Sequence, residues 1–209
     1  GDGKDYSAFH IIDVENNVQE AEYRGQLGTK EYGHLLVGIA TEYNEALLVI
    51  ENNSIGWSTI QTVIDRGYQN LYYSPKSGEV RADSYFDQYM DTSRMVAGFT
   101  MSSRVRPMVI SKFQEYLSDK GVTFQSKRLL EEMKTFIWRN GRPEAQQGYN
   151  DDLVMSFGTA MYMRDTAFKF KQHGIDLTKS MLTNLHASKV NYNGAYQSPK
   201  VKNPWQIDN

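Results

Sequence analysis

The sequence predicts a mixed α/β domain. Three observations lead there: short apolar or alternating runs that read as strands, apolar residues recurring at helical spacing between them, and the way the two kinds alternate along 209 residues. Ala8-Phe9-His10-Ile11-Ile12-Asp13-Val14 reads as a strand, Asn16-Asn17 signals a turn, and Val18 to Leu27 alternates as a more polar strand. The chain therefore starts with a hairpin that has one edge-like arm. Leu35, Leu36, Ile39 and Tyr43 predict a helix over about 30–43, and Ala46-Leu47-Leu48-Val49-Ile50, closed by Glu51, reads as a short buried strand.

After Asn52-Asn53, Ser54 can cap a helix whose face is Trp57, Ile60, Val63 and Ile64. Leu71-Tyr72-Tyr73 reads as another strand. From Ser74 to Met101 the chain is polar and turn-rich, with Ser-Pro-Lys-Ser-Gly between possible hairpin arms, so 74–101 is expected to be an insertion. Helices follow over about 103–119, with Val109, Phe113, Tyr116 and Leu117 inward, and over about 127–137, with Leu129, Leu130, Met133 and Phe136–Ile137 available for burial. A last long helix should start near 150 and reach the 160s or beyond. Residues 1–174 make up the expected domain, and 175–209, with four lysines against two aspartates, a polar, irregular appendage.

Composition removes several functional classes. With no cysteine there is no disulfide framework, thiolate metal site or cysteine nucleophile. No apolar stretch approaches the roughly eighteen residues of a membrane span, and no signal-peptide pattern opens the chain, so no membrane partner is expected. A formal net charge of −2 gives no global attraction for nucleic acid; binding to a polyanion would depend on local basic patches and bound cations. Gly1-Asp2-Gly3-Lys4 lacks the spacing of a phosphate loop and precedes a strand, and no serine stands in a nucleophile elbow. The four histidines, His10, His34, His173 and His186, show no ligand spacing and read as structural or solvent-facing.

What remains is a set of carboxylates at element ends. Glu51 closes the apolar run, Asp151-Asp152 open the last helical pattern after Gly148-Tyr149-Asn150, and Asp5 stands near the start. Carboxylates about 4 Å apart repel by roughly 4 kcal/mol at an effective dielectric near 20, so a cluster of ionised ones calls for a cation. Oxygen donors select magnesium or manganese. Each residue also has an ordinary reading: Asn150 is a favourable N-cap, acidic residues in a first helical turn interact well with the helix dipole, and Asp5 could be a solvated loop residue. Glu51 is the least ordinary, because the end of a central strand is where sites form in α/β sheets.

Gly3-Lys4-Asp5-Tyr6-Ser7, Ile50-Glu51-Asn52-Asn53-Ser54-Ile55-Gly56 and Gly148-Tyr149-Asn150-Asp151-Asp152-Leu153-Val154-Met155-Ser156, in this order and spacing, resemble the C-terminal nuclease domain of the large terminase subunit of tailed bacteriophages. Gly98-Phe99-Thr100 followed by Arg104 and Arg106 is similar to the family's segment before its penultimate helices, and the likeness covers about residues 1–165. It implies a ribonuclease H-like mixed sheet flanked by helices, and a magnesium- or manganese-dependent endonuclease that cuts concatemeric viral double-stranded DNA during head packaging. By the same resemblance Glu51 and Asp152 are metal ligands, Asp5 an accessory acidic ligand and Asp151 a supporting residue. The implied partners are an upstream ATPase domain, the portal and the small terminase subunit, in the host cytoplasm.

The family's first aspartate would lie just upstream of Gly1, so the first strand is expected to be missing from this chain. Its slot, between the strands at 8–14 and 46–51, would then be closed or filled by another segment, with Ser188–Asn193 one candidate. Lys76, Arg81, Arg104 and Arg106 are candidates for DNA phosphate contacts, although the ordinary reading of any one of them is a solvated charge. Rival readings are a noncatalytic DNA- or motor-docking module and another ribonuclease H-like nuclease such as a resolvase.

Overall fold

The computed structural model describes residues 6–76 and 95–187. Strand β1 (Ser7–Asp13) and strand β2 (Val18–Gly25) pair antiparallel around the Asn16-Asn17 turn, with Asn17 in the left-handed region at φ 54° and a bulge between Ile11 and Ile12. Phe9 and Tyr23 are register partners and stack with ring centroids 5.4 Å apart, a favourable cross-strand pair. The far edge of β2 is covered at its start. Gln19 N–H donates to the Thr123 carbonyl at 2.8 Å and Thr123 N–H to the Asn17 carbonyl at 2.9 Å, which satisfies backbone groups that an edge strand would otherwise expose.

Helix α1 (Thr29–Glu42) lies against this hairpin, and the Tyr32 hydroxyl donates to the Ala8 carbonyl at 2.9 Å. Its buried side is Gly33, Leu36, Val37 and Ala40; Tyr43 is exposed. Helix α2 (Gly56–Asp65) buries Thr59, Ile60 and Val63 against it. Trp57 and Ile64, expected on the inner face of α2, are exposed because the buried stripe is narrower than the apolar one. Ser54 does not cap α2: the Asn53 side chain does, accepting Gly56 N–H at 2.6 Å.

The segment 46–51 forms two half-ladders rather than a full strand. Leu48 N–H donates to the Asn70 carbonyl and Tyr72 N–H to the Leu48 carbonyl, both at 2.9 Å; farther on, Phe99 N–H reaches the Ile50 carbonyl at 2.7 Å and Asn52 N–H the Phe99 carbonyl at 3.0 Å. Strand β3 (Tyr73–Pro75) and strand β4 (Met95–Ala97) pair antiparallel beside it. Val37, Ala40, Ile60, Val63, Tyr68, Leu71 and Ala97 form one core cluster, with Ala46, Leu48 and Ile50 packed on it. Among the described residues the sheets are thus small and antiparallel, with isolated parallel bridges beside them, within a mixed α/β fold. Residues 77–94 of the expected insertion, and Ser188–Asn193, lie outside the described residues.

Helix α3 (Val105–Ser118) buries Val109, Ile110 and Phe113. Helix α4 (Lys127–Lys134) is shorter than expected. Phe136 and Ile137 leave the helix and start strand β5 (Phe136–Arg139), which pairs with strand β6 (Arg142–Ala145) across Asn140-Gly141. Both turn residues have positive φ, 51° and 77°, the geometry that favours Asn-Gly in a two-residue hairpin.

The last helix, α5 (Asp152–Ala187), corrects the expected irregular chain after about residue 174, since the helix continues through Ala187. The chain divides into two compact units, Gly1–Phe168 and Lys169–Asn209. Among the described residues no helix is long and apolar enough to cross a membrane.

Two glycines crowd the backbone around Glu51. A Cβ on Gly56 would collide with the Glu51 carbonyl; Gly98, at φ 83°, would place one 2.6 Å from the Ile50 carbonyl and 2.5 Å from Ile60 Cδ1. Gly67 also has positive φ, 71°, but nothing lies within 4 Å of its missing Cβ. Gly67→Ala should therefore cost only the left-handed strain of about 1–2 kcal/mol, whereas Gly98→Ala adds a collision and should cost clearly more in urea unfolding. Equal losses would show that the Gly98 backbone gives way freely.

Candidate metal centre

Glu51 stands where the half-ladder with Phe99 ends, and the two asparagines after it fix the turn that follows. Asn52 Nδ2 donates to the Ala97 carbonyl at 3.1 Å and to Thr100 Oγ1 at 3.0 Å, and Asn53 closes the turn onto Gly56. The Glu51 side chain reaches solvent, yet the protein around its carboxyl raises its pKa above the ordinary value. The positive charge of Arg106 and a hydrogen bond from Asn53 oppose that rise, while the charge of Asp151 adds to it. Glu51, Arg106 and Asp151 therefore share one electrostatic neighbourhood.

Arg106 belongs to the first turn of α3. Its Nε donates to the Pro143 carbonyl of β6 at 2.9 Å, and its terminal nitrogen forms an ion pair and hydrogen bond with Asp151. With side chains 18% and 27% exposed, the pair is shielded enough to hold a defined geometry. Asp151 occupies the position just before α5, its carbonyl accepting Met155 N–H at 2.8 Å while its carboxylate turns to Arg106. Asp151, just before α5, is thus bonded to the Arg106 guanidinium, and Glu51 lies within range of the charge of both.

Asp152, the first residue of α5, neighbours a second charged group. Its charge opposes the ionisation of Glu132, whose pKa is raised first by burial. Glu132 was not among the residues singled out from the sequence. Its Oε2 accepts the Leu153 and Val154 N–H groups at 2.8 and 3.2 Å, and its Oε1 lies 3.2 Å from an Arg24 nitrogen. A Glu two residues before the end of a charged helix gave no signal; only the tertiary position of α4 makes it unusual.

His10 is structural, as the absence of ligand spacing implied. Gln19 Nε2 donates to its Nδ1 at 2.7 Å, so its Nε2–H donates to the Leu153 carbonyl at 3.1 Å, and the ring meets Phe157 edge-on at 5.0 Å. Burial lowers its pKa from 6.5 to about 4, against a smaller upward pull from Glu22. Gln19 Oε1 also accepts Gln125 and Ser126 N–H, which links the hairpin to the start of α4.

Among the sequence candidates, Asp5 and Arg81 lie outside the described residues. Lys76 is exposed at the end of β3, and Arg104 is exposed at the N-cap of α3. Among the described residues no three Asp, Glu or His side chains are grouped closely enough to hold a metal ion by themselves. The donors nonetheless suit a hard divalent cation in kind. Glu51, Asp151 and Asp152 offer only oxygen, and the desolvated Glu51 carboxyl, with Asp151 for a neighbour, would gain from positive charge.

The architecture has counterparts among solved structures. It is similar to the large terminase nuclease from thermophilic phage G20c with bound magnesium, at TM-score 0.57 and 18% identity over 78% of this chain and 76% of that one. The fold is that of a phage large terminase nuclease. The same phage nuclease with bound cobalt matches at TM-score 0.57 and 17% identity over 78% and 77% of the two chains, and a third structure of it at 0.54 and 18% over 76% and 75%. No known protein-family profile matches the sequence.

The His10 environment sets a pH dependence of stability. Between about pH 6.5 and 4 the unfolded chain binds a proton on this histidine that the folded chain refuses, so stability present above that window is lost as pH falls through it. The loss is on the order of 3 kcal/mol at most. His10→Gln should flatten that part of the stability profile in chemical denaturation between pH 7 and 4; an unchanged slope would assign the acid sensitivity to other groups.

Proposed function

We propose that this chain is the nuclease domain of a viral DNA-packaging terminase, a magnesium- or manganese-dependent endonuclease that cuts concatemeric double-stranded DNA. The observation that supports the reading is the Arg106–Asp151 pair within charge range of Glu51, with Asp152 next along the chain, in a fold shared with phage nucleases crystallised with magnesium and cobalt. In this reading the small sheets are parts of one ribonuclease H-like sheet. Its partners are DNA, an ATPase domain, and the portal and small terminase subunit, in the host cytoplasm.

Glu51 and Asp152, with Asp5, would hold the ions, and Asp151 supports them by fixing Arg106. Two bound divalent ions supply activation of the attacking water and stabilisation of the leaving 3′ oxygen in an in-line displacement. The chain's own contribution is positional. Glu51 is held by Asn52 and Asn53 and by glycines that let the backbone close around it. Arg106 presents a guanidinium beside the carboxylates, where a phosphodiester oxygen could be met, and Lys76, Arg81 and Arg104 extend phosphate contacts without reading base sequence.

The second reading is a noncatalytic DNA- or motor-docking module. Plasmid cleavage separates the two. Magnesium or manganese should support nicking and linearisation with little sequence preference, and Glu51→Gln or Asp152→Asn should lower the rate at least about 100-fold at unchanged fold, each removing a ligand charge at nearly constant volume. Metal-dependent cutting at full rate in both variants would move the catalytic role elsewhere. No cutting by the parent chain at any metal concentration would favour the docking module.

A further inference from the structure

We infer that Glu132 is the positioning residue for Asp152: it caps the last helix from outside and so fixes the backbone from which the Asp152 carboxylate projects. The inference rests on the metal-binding reading of Asp152 given above.

The first turn of any helix leaves N–H groups without intrahelical partners, and the side chain of the N-cap residue normally accepts from the second or third position. Asp151 stands at that N-cap and has the right side chain for the task. It does not perform it, because its carboxylate is bonded to Arg106. The two N–H groups at the second and third helical positions, Leu153 and Val154, are taken by Glu132 Oε2 instead, from a helix about twenty residues earlier in the chain. The cap has been handed to a remote residue, and the local one is held by Arg106 instead.

The burial of Glu132 is unusual for its residue type. Helix α4 is Lys-Arg-Leu-Leu-Glu-Glu-Met-Lys, and Glu131 beside it lies in solvent; Glu132 is the one charged side chain among the buried described residues. Burying a carboxylate costs several kcal/mol unless it is paired and hydrogen-bonded. Here Oε1 faces Arg24 at 3.2 Å without a hydrogen bond of its own, and Arg24 in turn lies over the Tyr6 ring at 4.3 Å. From the other side His10 holds the Leu153 carbonyl. The peptide units following Asp152 are therefore gripped through their N–H groups by Glu132 and through the Leu153 carbonyl by His10, which fixes where the Asp152 Cα, and hence its carboxylate, can lie.

The test is Mn2+ binding by the 209-residue chain, followed by electron paramagnetic resonance, alongside thermal melting. Glu132→Ala should weaken Mn2+ binding roughly tenfold or more, in the range found for residues that orient metal ligands. Glu132→Gln, whose amide oxygen can still accept both N–H groups, should recover most of that affinity. Val63→Ala, a core substitution in α2, serves as the control for lost stability; it should lower the melting temperature and leave Mn2+ affinity unchanged. Should Glu132→Ala fail to fold, Glu132→Asp, one methylene too short to reach the helix, takes its place with the same expectation.

Wild-type affinity in the folded Glu132→Ala or Glu132→Asp variant would overturn the inference, and so would equal weakening in Val63→Ala. Asp152→Asn tells this failure from that of the parent reading. If Asp152→Asn leaves Mn2+ binding intact, the metal role of Asp152 falls and this inference with it; if Asp152→Asn weakens binding while the Glu132 variants do not, only the positioning role falls.

Discussion

The N–H groups at the start of the helix Asp152–Ala187 must be satisfied, and the chain meets that requirement from a distance. Glu132 supplies the acceptor, Arg24 offsets the buried charge, and His10 secures the adjacent carbonyl. These three residues come from β1, β2 and α4, so the hairpin, the short charged helix and the long helix are joined at one point. Most of the packing nearby serves the same joint: Phe157, one turn into the helix, meets His10, Phe113 and Phe124 with centroids 5.0, 5.2 and 5.6 Å away. Edge-to-face contacts of this kind set ring orientation as well as burying area.

The acidic corner depends on that joint for one of its two sides. Its other side, Glu51, depends on backbone: Gly56 and Gly98 approach the Ile50 and Glu51 carbonyls too closely for any side chain. One side of the site is therefore placed by a buried charge and the other by the absence of Cβ atoms. Arg106 stands between the two systems, fastened to the β6 carbonyl of Pro143 and to Asp151, and its charge tempers the desolvation that raises the Glu51 pKa. The guanidinium, the Asp151 carboxylate and the Pro143 carbonyl are neighbours because the start of α3, the residue before α5 and β6 come together there.

Much of this was legible in the sequence, to different depths. The hairpin, α1, α2, α3 and the start of the last helix follow from period-two and period-3.6 patterns and lie within about two residues of their expected ends. Helix α4 was drawn too long because Phe136 and Ile137 continue an apolar spacing, although Asn140-Gly141 marks a hairpin that outranks it. Glu51, Asp151 and Asp152 were visible as carboxylates at element ends, and the structure puts Glu51 and Asp151 within reach of one another's charge. Two things could not be read. That Asp151 gives up its cap to Arg106 depends on the placement of α3, and the burial of Glu132 depends on the face that α4 turns inward; neither is a local property.

The remote cap also bears on when the acidic corner takes shape during folding. His10 and Leu153 are separated by 143 residues, and the ties between Glu22 and the start of α4 by 104 and 106. Contacts of such span close large loops, whose entropy must be overcome before the contact repays it, and they belong to the slow, late part of folding. A chain still emerging from the ribosome can form the hairpin and α1, but it cannot complete the joint until Leu153 has been made. The neighbourhood of Glu51, Arg106 and Asp151 is thus a property of the finished domain, one that a partly folded chain does not yet hold.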